Sequence, residues 1–264
     1  MTKLSVTKGG EVSQSIVDKI VSALDECYGI IGEPMADSVD LHIVEKSARE
    51  TFFATHDALP GKSTITVYVD KFLEIPQLVG LAGIRRQAAH SVLHGSLEYY
   101  LIKVPEDLVR VAKQYHLSQG CINALLYNIG MAAKEYGVTR LLYGKNFVVD
   151  QAAYAKYILD PSIEEVLAWE VALRNRLEKI LYLASIIRDV SCAVPLIQDE
   201  QFGDEVKDYI EKKLAYITPA YQAKIQRIIY ERFSLLNTDT FRNIALVTRF
   251  LVDEIIDYEL ADWL

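Results

Sequence analysis

The chain has 264 residues, 51% of them hydrophobic and 24% charged, enough to bury a sizeable core without low-complexity tracts. A net charge of -8, with acidic residues spread along the chain, leaves no basic footprint for nucleic acid or an anionic membrane. No run of about 18 apolar residues could span a bilayer, and Met1-Thr2-Lys3-Leu4-Ser5-Val6 lacks the apolar centre of a secretory leader.

The first third mixes helix and strand. Gln14 to Tyr28 places Ile16, Ile20, Val21 and Leu24 at helical spacing, with Glu33-Pro34 beyond as a stop. Asp40 to Glu45 reads as a short strand, and Pro60-Gly61-Lys62-Ser63 is a turn signal. Thr64 to Asp70 alternates, with Ile65, Val67 and Val69 on one face, which predicts a half-buried, antiparallel strand.

From Pro76 onward the periodicity is helical. A helix is predicted from Gln77 to Tyr100. Another opens at Pro105-Glu106-Asp107, where proline suits the first turn and the acids suit the positive end of the dipole. Further helices are predicted at Ser118 to Tyr136, Val149 to Leu159, Ile163 to Asp189, Asp204 to Tyr216, Pro219 to Leu235 and Asp239 to Leu260. The fold expected is α+β and predominantly helical. A small α/β portion over residues 1–104 is followed by a helical portion over 105–264, the two packed as one continuous domain since no linker composition separates them.

Cys27, Cys121 and Cys192 are odd in number and far apart, which reads as buried reduced thiols of a cytoplasmic protein. No phosphate-cradling glycine motif and no GxSxG elbow occurs. His42, His56 and His116 are isolated in sequence and read as structural. Glu164-Glu165 suits a helix start, and Tyr99-Tyr100 and the pair Tyr154 and Tyr157 suit helix seams.

The stretch GIRRQAAHSVLHGSLEYY, residues 83–100, carries the chemical question. Residues four apart in a helix share a face about 6 Å apart along the axis, so two histidines at that spacing reach one metal ion. In the HExxH motif the glutamate beside the first histidine takes a proton from metal-bound water. On Arg86-Gln87-Ala88-Ala89-His90 only the second histidine survives. Arg86 is a permanent cation that cannot ligate, and Gln87 is an amide with no carboxylate to accept a proton. His90 and His94 offer another pair of ligands at the same spacing, with Ser91 in the base position. Glu98 stands about 12 Å beyond His90 along the axis, too far for one ion held by an intact helix.

The strand Thr64 to Asp70 followed by this helix, with its run Arg86-Gln87-Ala88-Ala89-His90-Ser91-Val92-Leu93-His94-Gly95, resembles the zincin metallopeptidases over about residues 40 to 100, and their gluzincin-type arrangement in particular. The resemblance implies a zinc-binding helix with an acidic ligand from a later helix, for which Glu135, Asp150 and Glu165 are candidates. It also implies an edge strand, here Thr64–Asp70, that pairs with a peptide or protein partner. On the same resemblance His90 is the retained ligand position, and Arg86 and Gln87 occupy the lost ligand and base positions. The expectation is a degenerate site, Arg86, Gln87 and His90, without cofactor or peptidase activity. In it the Arg86 guanidinium pairs with the carboxylate that metal loss would leave buried. The alternative is a zinc-dependent hydrolase using His90, His94 and a distant carboxylate; a purely helical interaction scaffold is the third reading.

Overall fold

The computed structural model describes residues 3–47 and 52–261. It is α+β and mostly helical, with one four-stranded sheet. The chain forms two compact units: residues 1–101 with 138–154, and residues 102–137 with 155–264.

The first unit opens with β1 (Lys3–Gly9), α1 (Gln14–Ile31) and β2 (Ser38–Val44). Then come β3 (Ala54–Leu59), β4 (Lys62–Tyr68), α2 (Val69–Glu74) and α3 (Gln77–His94). The sheet order is β1-β2-β4-β3: β1, β2 and β4 run parallel, and β3 returns antiparallel to β4. Pro60 and Gly61 make the two-residue turn between β3 and β4. Gly61 sits at φ +71°, where the second central residue of a Pro-Gly turn needs a residue without a side chain.

The alternation in the sequence is reproduced in burial. Val39, Leu41 and Ile43 of β2 and Ile65 and Val67 of β4 are fully buried. They share a core with Ile20, Leu24 and Cys27 of α1 and Ile84, Ala88 and Ala89 of α3. The opposite face of the sheet is polar. There Thr7 Oγ1 lies 2.8 Å from His42 Nδ1, and Lys62 pairs with Asp40. His42 therefore has a structural partner on a neighbouring strand. Two glycines of α3 allow aromatic rings close to its backbone: a Cβ on Gly80 would come within 2.8 Å of the Phe72 ring, and one on Gly83 within 2.1 Å of Phe53.

The strand predicted at Thr64–Asp70 differs in three ways. It starts at Lys62, it gives way to α2 at Val69, and it is an interior strand, parallel to β2 on one side and antiparallel to β3 on the other. Its main-chain groups are already paired on both sides, so no partner peptide can add along it. The strands β1 and β3, absent from the sequence reading, form the sheet's edges among the described residues.

The second unit holds α4 (Glu106–Gln114), most of α5 (Gln119–Tyr143) and the end of α6 (Val148–Leu159). It continues with α7 (Ile163–Ala172), α8 (Arg176–Ser191), α9 (Gly203–Leu214), α10 (Pro219–Arg227), α11 (Thr240–Leu251) and α12 (Asp257–Leu260). The helix predicted over Ile163–Asp189 is two helices. Asn175 caps the second, its side chain accepting from the backbone N–H groups of Leu177 and Glu178. Ser162 and Glu165 form a reciprocal capping box at the start of α7. Two π-helical stretches, Ile228–Arg232 and Val252–Ile256, interrupt the last helices, and Glu254 in the second accepts from Arg227 at 2.9 Å and Arg232 at 3.2 Å. No described helix is long and apolar enough to cross a membrane.

Candidate functional site

Helix α3 presents three different faces because its residues find different neighbours. The row Arg86, His90 and His94, each four apart, is buried, at 1%, 6% and 0% exposure. Ser91 lies on another side: its hydroxyl donates to the Ala88 carbonyl at 2.7 Å and lies 2.8 Å from the Tyr28 hydroxyl of α1. The residue in the base position of the second histidine register is thus tied to helix packing. Burial drives the Tyr28 phenol upward in pKa, only partly offset by the Ser91 hydrogen bond.

Among the described residues, Thr139, Gln151 and Tyr154 hold Arg86. Its Nη1 donates to Thr139 Oγ1 of α5 at 2.7 Å and to Gln151 Oε1 of α6 at 2.8 Å. The guanidinium also lies over the Tyr154 ring, 4.6 Å from its centroid. The carboxylate nearest in sequence to these partners, Asp150, goes to the neighbouring cation instead. Its Oδ2 accepts from Arg85 Nη1 at 2.6 Å, while Arg85 Nη2 donates to Glu26 of α1 at 2.8 Å. Of the three later carboxylates considered as zinc ligands, Asp150 reaches α3 at Arg85, and Glu135 and Glu165 belong to the second unit.

Asp150 is 3% exposed, and its second oxygen, Oδ1, has no hydrogen-bond partner among the described residues. Burial therefore outweighs the guanidinium and holds this carboxyl above its ordinary range. Burial opposes the Arg85 cation too, but hydrogen bonds to Asp150 and Glu26 outweigh it and raise its pKa. Cys27, its thiol 3.8 Å from the Arg85 carbonyl, is pushed up to about 12, chiefly by burial, which makes it a poor nucleophile. All three cysteines are buried, and among the described residues none is joined in a disulfide.

Gln87, in the position of the general base, is half-buried on α3. One turn on, His90 Nδ1 and His94 Nδ1 lie 3.2 Å apart. That separation suits an N–H···N hydrogen bond. It also suits two ligands of one tetrahedral ion, whose nitrogens would stand about 3.3 Å apart. His56 of β3 adds a third imidazole, stacked on His90 with ring centroids 6.1 Å apart and planes 15° from parallel. The His56 ring nitrogens lie near Tyr100 Oη and Ser63 Oγ. Among the described residues no group of three or more His, Cys, Asp or Glu side chains is gathered to hold a metal ion.

The end of α3 completes the cluster. The helix predicted to reach Tyr100 stops at His94. A Cβ at Gly95 would stand 2.2 Å from the Ser91 carbonyl oxygen, so only glycine fits this close turn. A 3-10 turn, Leu97–Tyr99, follows. Tyr99 meets the His94 ring edge-on at 5.2 Å, and Tyr100 Oη lies 2.7 Å from His56 Nδ1. His56 Nε2 is 3.3 Å from Ser63 Oγ. His56, isolated in sequence, and Tyr99-Tyr100, which suit a helix seam, meet instead in this cluster. The hairpin signal, Ala54 to Leu59 before Pro60-Gly61, would have put His56 on a strand beside the helix.

No family model, curated protein or solved structure matches this chain.

Proposed function

We propose that this protein is a catalytically inactive, zincin-like chain that acts by binding an extended peptide or protein segment, and that the receiving strand is β3. The observation that carries this reading is Arg86. It stands four residues before His90, where the HExxH comparison requires the first ligand, and it is 1% exposed with its guanidinium fixed by Thr139 and Gln151. A permanent cation so placed cannot ligate, and it repels a divalent ion beside it. Gln87 has no proton-accepting carboxylate, and the Ser91 hydroxyl is engaged with Ala88 and Tyr28. What the geometry retains is an edge strand beside a histidine and tyrosine cluster, suited to main-chain pairing. The three buried cysteines, not paired in disulfides among the described residues, suit a reducing compartment such as the cytoplasm.

The test has three arms: metal content, hydrolysis, and binding of an extended peptide with and without N-methylation. Purified protein grown with zinc is dialysed and its metal content measured, and casein and blocked-peptide hydrolysis are assayed with and without added zinc. Absence of stoichiometric zinc, no hydrolysis, and peptide binding that N-methylation of alternate residues abolishes are the results expected.

The 3.2 Å separation of the His90 and His94 nitrogens favours a second reading, a zinc-dependent hydrolase in which these two and a distant carboxylate hold the ion. Retained stoichiometric zinc, lost in His90→Ala and His94→Ala, with turnover abolished by chelation, would select it over the first.

A further inference from the structure

We infer that Tyr100 is a built-in competitor for the β3 edge: its hydroxyl occupies the main-chain acceptor that an incoming strand would need, so partner binding requires this tyrosine to leave. The inference rests on the proposed reading of β3 as the receiving strand, and it adds how access to that strand is controlled.

The argument starts from register. Leu59 and Lys62 flank the two-residue turn, and Asp57 faces Thr64 and Thr55 faces Thr66. In a hairpin closed by two residues the flanking pair is hydrogen-bonded, and bonded and non-bonded pairs then alternate. The pairing continues in this phase to Tyr68, whose N–H donates to the Phe53 carbonyl at 2.9 Å. The residues between, Ala54, His56 and Ala58, therefore turn their N–H and C=O groups away from β4, toward the side where another strand would add.

The central one of the three is taken. The Tyr100 hydroxyl donates to the His56 carbonyl at 3.0 Å, and the same oxygen lies 2.7 Å from His56 Nδ1. One tautomer satisfies these two contacts together with the one to Ser63 Oγ. With the phenol proton committed to the carbonyl, His56 carries its own proton on Nδ1 and donates it to Tyr100 Oη. Nε2 then accepts from Ser63 Oγ at 3.3 Å. Tyr100 is thus fixed to a main-chain group and a side chain of one residue. Ala54 and Ala58 turn their side chains to the core face of the sheet, opposite Val67 and Ser63, so what stands on the outward edge between them is the Tyr100 hydroxyl at the His56 carbonyl. The covering residue follows immediately on a short 3-10 turn whose neighbour Tyr99 rests on His94, and the next residue, Leu101, is 72% exposed. Such a segment can be displaced without dismantling the core of the unit.

The experiment measures binding of a fluorescein-labelled, alternating Thr-Val heptapeptide to the full chain and to Tyr100→Phe, which keeps the ring and removes only the hydroxyl. The same peptide N-methylated at alternate residues serves as control. Loss of one neutral hydrogen bond from the competitor predicts about five- to tenfold tighter binding by Tyr100→Phe, abolished by N-methylation. Binding by the variant alone supports the inference equally. Equal or weaker binding by the variant, with the unmodified chain still binding, overturns the inference and leaves β3 as the receiving strand. Failure of both folded proteins to bind overturns the proposed reading and this inference with it. A ¹⁵N spectrum of the His56 ring gives an independent check: a proton on Nδ1 in the unmodified chain is expected, and a proton on Nε2 there refutes the arrangement.

Discussion

Replacing Arg86 by methionine tests whether the buried guanidinium organises the first unit. Methionine keeps an unbranched apolar stem of comparable reach and deletes the charge and donors. The change removes the hydrogen bonds to Thr139 and Gln151, at 2.7 and 2.8 Å, and the stacking on Tyr154 at 4.6 Å. Charge-assisted bonds contribute about 1.5–3 kcal/mol each, and a desolvated cation–π contact about 2 kcal/mol. Against that stands the desolvation of the charge itself, several kcal/mol, which methionine no longer incurs. The net loss expected is about 2–4 kcal/mol. Arg86→Lys should fall between, because an ammonium lacks the planar fork and stacks less well. The assay must report on the right unit: both tryptophans, Trp169 and Trp263, fall in the residue range of the second. Amide exchange in β2 and β4 during urea titration is therefore the measurement, with tryptophan emission as the reporter of the other unit. An Arg86→Met protein whose sheet opens within about 0.5 kcal/mol of the unmodified chain, the scale of a neutral surface change, would refute the claim that this cation ties α3 to Thr139 and Gln151.

Other expectations follow from the same interactions. The buried carboxyl of Asp150 binds its proton more tightly folded than unfolded, where the ordinary value is about 3.9. Its contribution to stability is therefore fully present at low pH and is lost as pH rises through the raised native value. Asp150→Asn should flatten that part of the stability-versus-pH curve, gaining on the unmodified chain as pH rises; parallel curves by denaturant titration would contradict it. In the second unit, Glu254→Gln should cost about 1–2 kcal/mol, a modest figure since Arg227 and Arg232 are 50% and 37% exposed and screened by water. Trp169 emission in urea reads it. The double change Arg86→His with Gln87→Glu should confer stoichiometric zinc binding by metal analysis, if the site descends from a zinc helix. A folded variant that binds none would argue against that descent.

Much of this chain is legible as sequence because its signals are local. The 3.6-residue periodicity located the helices, and the alternation of Ile65 and Val67 marked a strand buried on one face. The four-residue spacing of Arg86, His90 and His94 puts them on one stripe, since the geometry of a single helix fixes that relation. The break at Asn175 was legible too, as an asparagine three residues before Glu178, but the long apolar run obscured it. What needed the tertiary structure was every relation between elements. Periodicity cannot say which strand lies at the edge, because pairing partners come from distant sequence; β4 proved interior and β3 the edge. Nor could it say that Arg86 would meet Thr139 and Gln151 while Arg85 took Asp150. Adjacent residues on a helix point about 100° apart, and only packing decides which carboxylate each can reach. His56 and Tyr100, 44 positions apart, become neighbours through the hairpin and the stop at Gly95, and no local rule would have joined them.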